Sequence, residues 1–385
     1  MNKVLRKSPQ HRSPAELECG CRFIVPSSWR EALELLRRFA FVFGRLRGSS
    51  RFELQQRRVF RFNEHIGQVI DTFVNPTNNG GLDLPHGLAF GVDGNLLVTS
   101  ANNDSVLRYN GTNGAFLNAF ITNGVGGLNY PVWLEFRRGS LFVSSQINHR
   151  VLRYDATNGA FLSTFVSEGT VSGPSGMTFG PDGHLYVVGR FGSHVMRYDG
   201  TNGNFIDAFV PAGVGGLSQP FGCHFGPDGN FYVVSGNSNK VVRFNGTNGT
   251  YLGDFVMTGV GNLSLPVGLE FGPDTNLYVA SISNNRVVRF NGLTGALIGD
   301  FVSGVPNLSG PNFMLFHDFG PSHIDSITRV GTNVVLSWTG RSDTQMQSTL
   351  SLTQTSWQNM TGTLGRNSAT NAISTNTMFF RLVRD

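Results

Sequence analysis

At 385 residues the chain exceeds the size at which one core usually stops growing, so a large repeat array with smaller appendages is the first expectation. Forty-nine Gly and thirty-two Phe against 14% charged residues point to many tight turns joining aromatic-rich strands, and no run of eighteen apolar residues exists to span a membrane as a helix. The net charge of +5 belongs to the N-terminal region: residues 1–61 hold fourteen Lys and Arg against five Asp and Glu, and without the aromatic and Gly pattern of an RNA-binding module it argues against a nucleic-acid partner.

Residues 1–58 read as a basic, loosely ordered N-terminal extension. Within it, Ser28 to Phe43 places Trp29, Ala32, Leu33, Leu35, Leu36 and Phe39 at helical spacing behind a Ser28 cap, which predicts one amphipathic helix. The apolar piece from Phe39 to Gly44 is too short for the core of a secretory leader, so none is expected. Cys19, Cys21 and Cys223 are too few for a disulfide framework, and a Cys-x-Cys without a second pair is not a zinc site.

From Val59 onward a segment of the form V-x-R-[YF]-[ND] recurs at Val59, Val106, Val151, Val195, Val241 and Val287, at spacings of 47, 45, 44, 46 and 46. Copies are followed by turns such as Asn110-Gly-Thr-Asn-Gly114 and then by a strand such as Ala115–Phe120. A second strand pair reads in Pro266–Phe271 and Asn276–Ala280, joined by a Gly-Pro-Asp loop. Four short strands per repeat, with hydrophobic faces that only a neighbouring repeat can cover, predict an all-β, six-bladed β-propeller over 59–318. Five blades are continuous at about 85–121, 131–166, 174–210, 220–256 and 266–302. The sixth is expected from both ends, with 59–74 as its outer strands and Pro311–Phe316 as its innermost one. Its second strand is not evident, because Arg51–Arg58 lacks the Asn-rich turn of the other copies.

The segments Pro85–Phe90, Pro174–Phe179 with Gly180-Pro-Asp-Gly183, and Pro220–Phe225 with Gly226-Pro-Asp-Gly229 resemble the NHL repeat, over about two-thirds of the chain. The resemblance implies binding scaffolds as well as some lyases and lactonase-like enzymes. The acidic residue often found after the second strand of such repeats is here Ser100, Ser145, Gly189, Ser235 or Ser281. Residues 324–385 lose the repeat and gain Ser and Thr; alternation at Val334, Leu336 and Trp338 and a terminal strand Thr377–Val383 predict a small β-sandwich-like module. That module weakly resembles the terminal modules of secreted bacterial proteins.

Repetition sorts the candidate residues, since a polar residue present in every blade is most simply scaffold. Arg61, Arg108, Arg153, Arg197, Arg243 and Arg289 fall in that class. The position before the final Phe of each innermost strand differs: it reads Ala89, Glu135, Thr178, His224, Glu270 and Leu315. Glu135, His224 and Glu270 are therefore candidate ligands for a divalent ion in the central channel, or groups that merely keep a wet channel polar. At the rim, His86, Trp133, His149, Arg190, Phe191, His194 and Phe221 form a candidate ligand-binding face. No G-x-S-x-G elbow or H-E-x-x-H helix is present, and Cys223 occupies a core position equivalent to Leu269 and Met177.

The expectation is a non-catalytic recognition scaffold that needs no cofactor, binds a protein or glycan on its rim and works outside the cytoplasm, a setting that three lysines against twenty-seven arginines suit loosely. The rival is a metal-assisted lyase or lactonase-like hydrolase in the channel, with Glu135 and Glu270 as ligands and His224 or His86 as ligand or base.

Overall fold

The computed structural model describes residues 38–44, 57–63 and 66–318, with six further strands between 323 and 384; side chains are described for 57–63 and 66–316. Residues 38–318 form one compact unit. Its chain enters through β1 (Arg38–Gly44), β2 (Val59–Asn63) and β3 (Val69–Val74). The first blade is β4 (Pro85–Phe90), β5 (Leu96–Ser100), β6 (Ser105–Tyr109) and β7 (Phe116–Ile121). The second is β8 (Pro131–Arg137), β9 (Ser140–Ser145), β10 (Arg150–Asp155) and β11 (Phe161–Val166). The third is β12 (Pro174–Phe179), β13 (Leu185–Gly189), β14 (His194–Tyr198) and β15 (Phe205–Val210). The fourth is β16 (Pro220–Phe225), β17 (Phe231–Ser235), β18 (Lys240–Phe244) and β19 (Tyr251–Val256), and the fifth is β20 (Pro266–Phe271), β21 (Leu277–Ser281), β22 (Arg286–Phe290) and β23 (Leu297–Val302). Each is a four-stranded antiparallel meander, the architecture of a β-propeller.

A further four-stranded sheet has the order β24-β1-β2-β3, with β24 spanning Pro311–Asp318. Phe41 of β1 lies opposite both Arg61 of β2 and Leu315 of β24. This strand corrects the expected helix where it reached residues 38–43; residues 28–37 lie outside the described part. Phe39-Ala-Phe-Val-Phe43 is an aromatic and β-branched run that suits a strand flanked on both sides, although its apolar content also fits the tail of a helical pattern. Residues 45–58 separate β1 from β2 where other blades use a tight turn, which hid the strand from the repeat.

The second strands β5, β13, β17 and β21 are buried at every position, because both faces of a blade are covered by its neighbours. The core therefore lies between blades. One cluster joins Tyr186, Val188 and Phe209 of the third blade to Cys223, Phe231, Val233 and Phe244 of the fourth. Outermost strands bury only their last two residues, as in Phe161–Val166.

The turn that follows each V-x-R-[YF] strand carries a glycine with positive φ: Gly67, Gly114, Gly159, Gly203, Gly249 and Gly295. A β-carbon at any of them would overlap the carbonyl oxygen of a Phe on the preceding outermost strand, respectively Phe301, Phe73, Phe120, Phe165, Phe209 and Phe255. Only glycine satisfies both the backbone angle and this approach. The Arg of the repeat is held within its own blade: Arg61 pairs with Asp71, Arg108 with Asp93 at 3.2 Å, and Arg153 donates to Ser140 Oγ at 2.9 Å. Arg197 pairs with Asp207 and lies over Phe209 at 5.4 Å, so these arginines are scaffold.

Beyond the propeller, β25 (His323–Val330), β26 (Asn333–Thr339) and β29 (Ser368–Ala372) form one antiparallel sheet. A second contains β27 (Thr344–Thr349), β28 (Gln358–Asn359) and β30 (Phe379–Arg384). Among the described residues no helix is long and apolar enough to cross a membrane.

Candidate functional site

The innermost strands place Ala89, Glu135, Thr178, His224 and Glu270 opposite equivalent second-strand residues, Leu97, Phe142, Tyr186, Tyr232 and Tyr278, so they form one layer around the channel. Two members of this layer touch: His224 Nε2 lies 3.4 Å from Glu270 Oε1. The other ring nitrogen, Nδ1, lies 2.7 Å from the carbonyl of Phe225. A carbonyl only accepts, so Nδ1 carries hydrogen, and an attractive contact on the other side needs a proton on either Nε2 or Glu270. Burial raises the Glu270 carboxyl, opposed by His224 and by the Phe271 backbone N–H.

Glu135 reaches this pair through charge. Burial pushes its carboxyl up to about 7, against the favourable charge of His224 and the Trp133 indole and with the repulsion of Glu270. The indole Nε1 is buried and makes no hydrogen bond of good geometry. Protein surrounds the layer, yet the Glu270 side chain keeps 20% of its accessibility and His224 36%, so water reaches it. Of the three expected metal ligands, two are in contact and the third is coupled to them only electrostatically. Among the described residues no three His, Cys, Asp or Glu side chains are grouped to hold an ion.

Next to this layer two aromatic residues meet. β4, β12, β16 and β20 carry glycine two residues before the layer, at Gly87, Gly176, Gly222 and Gly268; β8 of the second blade has Trp133 and β24 has Phe313. Their rings stand perpendicular at 4.8 Å, on strands separated in ring order by β4, where Gly87 has no room for a side chain against Val132 and Trp133. β8 shifts register between Pro131 and Trp133, a step earlier than the shift in other blades, and this brings Trp133 into the ladder opposite Ser144.

The candidate rim residues fall into two groups. His86 is 3% exposed, with Nδ1 3.1 Å from Asn312 Nδ2 and rings of Tyr130 and Phe313 at 5.7 and 6.4 Å. It is buried against Phe313, one ring of that pair. Phe221, 6% exposed, belongs to a core cluster with Val267 and Tyr278 of the fifth blade and Met314 of β24. Both follow the Pro that opens an innermost strand, a position the structure turns inward.

Around the third blade the rim is open. Phe191 is 50% exposed. The guanidinium carbon of Arg190 lies over the Phe221 ring at 4.0 Å from its centre and 5.8 Å from that of Phe191, and Arg190 donates to Gln219 Oε1 at 3.4 Å. His149 stands edge-on to Phe191 at 6.2 Å, and its Nδ1 accepts the Gly173 N–H at 2.9 Å. His194 is partly exposed at the start of β14, and its imidazole fills the space that side chains at Gly189 and Gly192 would need. Its Nε2 is buried without a hydrogen bond, and burial lowers its pKa.

That slot explains the Ser series. Ser100 Oγ accepts the Asp83 N–H at 2.8 Å and donates to the Asp83 carbonyl at 3.1 Å, clipping the incoming loop to its blade. Ser145, Ser235 and Ser281 do the same to Asn129, Ser218 and Ser264. The third blade has Gly189 there because His194 occupies the place. The signal in the sequence is the one glycine among Ser100, Ser145, Gly189, Ser235 and Ser281, with His194 five residues on.

No protein-family model and no curated protein sequence matches the chain. Solved structures do. One chain of a nidogen–laminin complex superposes with a TM-score of 0.58 at 14% identity, covering 72% of this chain and 98% of that one. A protein of unknown function from Bacteroides caccae gives 0.52 at 14% identity, with the same coverages. Virginiamycin B lyase from Staphylococcus aureus gives 0.47 at 16% identity, covering 66% and 91%. At these identities the first two share with this chain the fold alone, a β-propeller of four-stranded antiparallel blades.

Proposed function

We propose that the chain is a recognition protein: an NHL-type ring of six blades, closed by the β24-β1-β2-β3 sheet, that acts outside the cytoplasm and binds a protein or glycan on its rim. The observation that carries this reading is the half-exposed Phe191, framed by the stacked guanidinium of Arg190 and the edge-on ring of His149. Aromatic and Arg side chains held in place by packing are the groups that dominate binding surfaces. A propeller in a nidogen–laminin complex shows the fold within a protein assembly, and the module at 324–385 would position the ring. Immobilised full-length protein and a Phe191→Ala, His149→Ala variant with unchanged melting are to be compared on a glycan array and against candidate extracellular proteins. A ligand captured by the parent and lost by the variant supports the reading, and a variant that keeps every ligand refutes it.

A second reading rests on the channel, where the His224–Glu270 contact and a Glu135 that keeps its proton to about 7 provide a base and an acid within one layer. A metal-assisted lyase or lactonase-like hydrolase would use these groups. Stoichiometric divalent metal in the purified protein, lost in a Glu135→Gln, Glu270→Gln variant, would favour it; full turnover of an identified substrate by that variant would eliminate it.

A further inference from the structure

We infer that His149 is the pin of an acid-released latch, which holds the seam between the second and third blades, and with it the Phe191 patch, at neutral pH. The latch stands on its own contacts; that it governs ligand release rests on the rim reading. Five seams carry one recurring clip. The last residue of each turn between second and third strands, namely Asp104, His149, Ser193, Asn239 or Asn285, has positive φ. Its side chain accepts the backbone N–H of the residue before the Pro that opens the next innermost strand. Asn239 holds Leu265 in this way at 2.8 Å, Asn285 holds Gly310 at 2.7 Å, and His149 Nδ1 holds Gly173 at 2.9 Å. Hydroxyls and amides do not titrate, and a protonated carboxyl keeps an accepting oxygen. Imidazolium donates from both nitrogens, so only the His149 clip is lost outright when its side chain gains a proton.

The rim patch is built on this clip. A β-carbon at Gly173 would meet Phe191 Cδ2 at 2.4 Å, so the aromatic ring lies on the Gly173 backbone. The Arg190 and Phe191 N–H groups donate to the carbonyls of Gly173 and Ser172 at 3.0 and 3.1 Å, and the His149 ring stands edge-on to Phe191. The titratable groups at this end of the seam are Arg150 beside His149 on β10, Glu168 in the connection from β11 to β12, Arg190 in the β13–β14 turn and His194 after it; Arg153, Asp155 and Arg197 lie further along β10 and β14. Glu168 is already paired with Arg150 at 3.5 Å, so an imidazolium here meets two arginines and a carboxylate that is taken. His194 acts in the same direction, since its Nε2 is buried without a hydrogen bond and burial lowers its pKa. The closed seam takes a proton less readily than the open one. It is therefore favoured above the ordinary imidazole value, about 6.5, and loses ground as pH falls below it.

The test is backbone amide exchange by NMR on the full-length protein at pH 7.5 and pH 5.0, each rate divided by its intrinsic rate. Protection of the Gly173 and Phe191 N–H groups is expected to fall tenfold or more relative to that of Leu265, whose clip is an amide. His149→Asn supplies the acceptor that two other seams use and should keep both groups protected at pH 5.0. A constant ratio in the parent, a Gly173 N–H unprotected even at pH 7.5, or a loss at Gly173 that leaves Phe191 unchanged overturns the inference. An equal loss in His149→Asn overturns it as well, by moving the switch off His149. The readout uses no ligand, so a failed latch leaves the rim reading as it is, and a rim that captures nothing leaves the latch standing.

Discussion

Gly67, in the turn between β2 and β3, rests against the carbonyl of Phe301 on β23, at a point where any side chain would overlap that oxygen. Gly159 makes the same approach to Phe120 between the first and second blades. The two contacts differ only in chain connectivity: Gly159 joins blades adjacent in sequence, while Gly67 joins the fifth blade to the sheet made from both ends. Gly67→Ala and Gly159→Ala should each destabilise the propeller by about 2 kcal/mol or more, combining a positive φ with an unavoidable clash. Thermal unfolding followed by circular dichroism checks this. A Gly67→Ala protein that melts like the parent while Gly159→Ala does not would show that the seam is open in solution.

The slot shared by Gly189, Gly192 and His194 makes an epistatic prediction. Gly189→Ser restores the residue found in four other blades, yet alone it should cost roughly 1–3 kcal/mol, because the hydroxymethyl group and the imidazole claim one volume. Adding His194→Ser reproduces the Ser100 and Ser105 pair of the first blade and should recover most of the loss. Urea unfolding of the two single variants and the double variant gives the coupling. Additive effects would mean that the imidazole is free to leave its slot.

The architecture was legible because every blade must solve the same packing problem with the same residues, and the V-x-R-[YF] strand, the turn glycine and the Pro that opens each innermost strand mark those solutions in order. β1 was not, because Phe39-Ala-Phe-Val-Phe43 stands fifteen residues ahead of β2 and carries no turn signature, and its apolar content served a helical pattern equally well. The channel layer was found by comparing blades at one position. The rim was read less well: His86 and Phe221 follow a Pro at a register shift, where alternation no longer says which way a side chain points, and both turn into the protein. His194 stays partly exposed at the start of β14, but the slot it fills is defined by two absent side chains, which no single position reveals.

Glu135 should make the protein less stable as the solution becomes more basic. Its carboxyl titrates near 7 when folded and near the ordinary glutamate value, about 4.3, when unfolded, so the folded state holds the proton more tightly. The resulting stabilisation is fully present below the unfolded value and is lost as pH rises through 7. Glu135→Gln removes this titration. Relative to the parent, the variant should gain about 1–3 kcal/mol between pH 4 and pH 8, each kcal/mol moving the melting temperature by roughly 2–4 °C. Melting curves across that range measure it, and parallel profiles for parent and variant would place Glu135 in freely solvated surroundings.

Trp133 acts on Glu135 in two opposing ways, and two substitutions separate them. Burial of the carboxyl raises its pKa, and the indole dipole favours the carboxylate, which lowers it; a bulky ring two residues away on β8 is expected to add to that burial. Burial is the larger effect. Trp133→Phe keeps an aromatic ring against Phe313 but removes the N–H, so the Glu135 pKa should rise above about 7. Trp133→Gly gives this blade the residue of its neighbours and opens the space beside the layer, so the pKa should fall towards the usual range. The second variant also loses the perpendicular contact with Phe313 and should be less stable by about 2–4 kcal/mol, somewhat below the cost of removing a fully buried Trp because Trp133 is only partly enclosed. Carbon-13 NMR titration of the Glu135 carboxyl reads both shifts directly. Shifts of opposite sign would establish Trp133 as the residue that keeps the channel acid protonated near neutrality, whereas a rise in both variants would mean that the N–H outweighs the ring and that other side chains enclose Glu135.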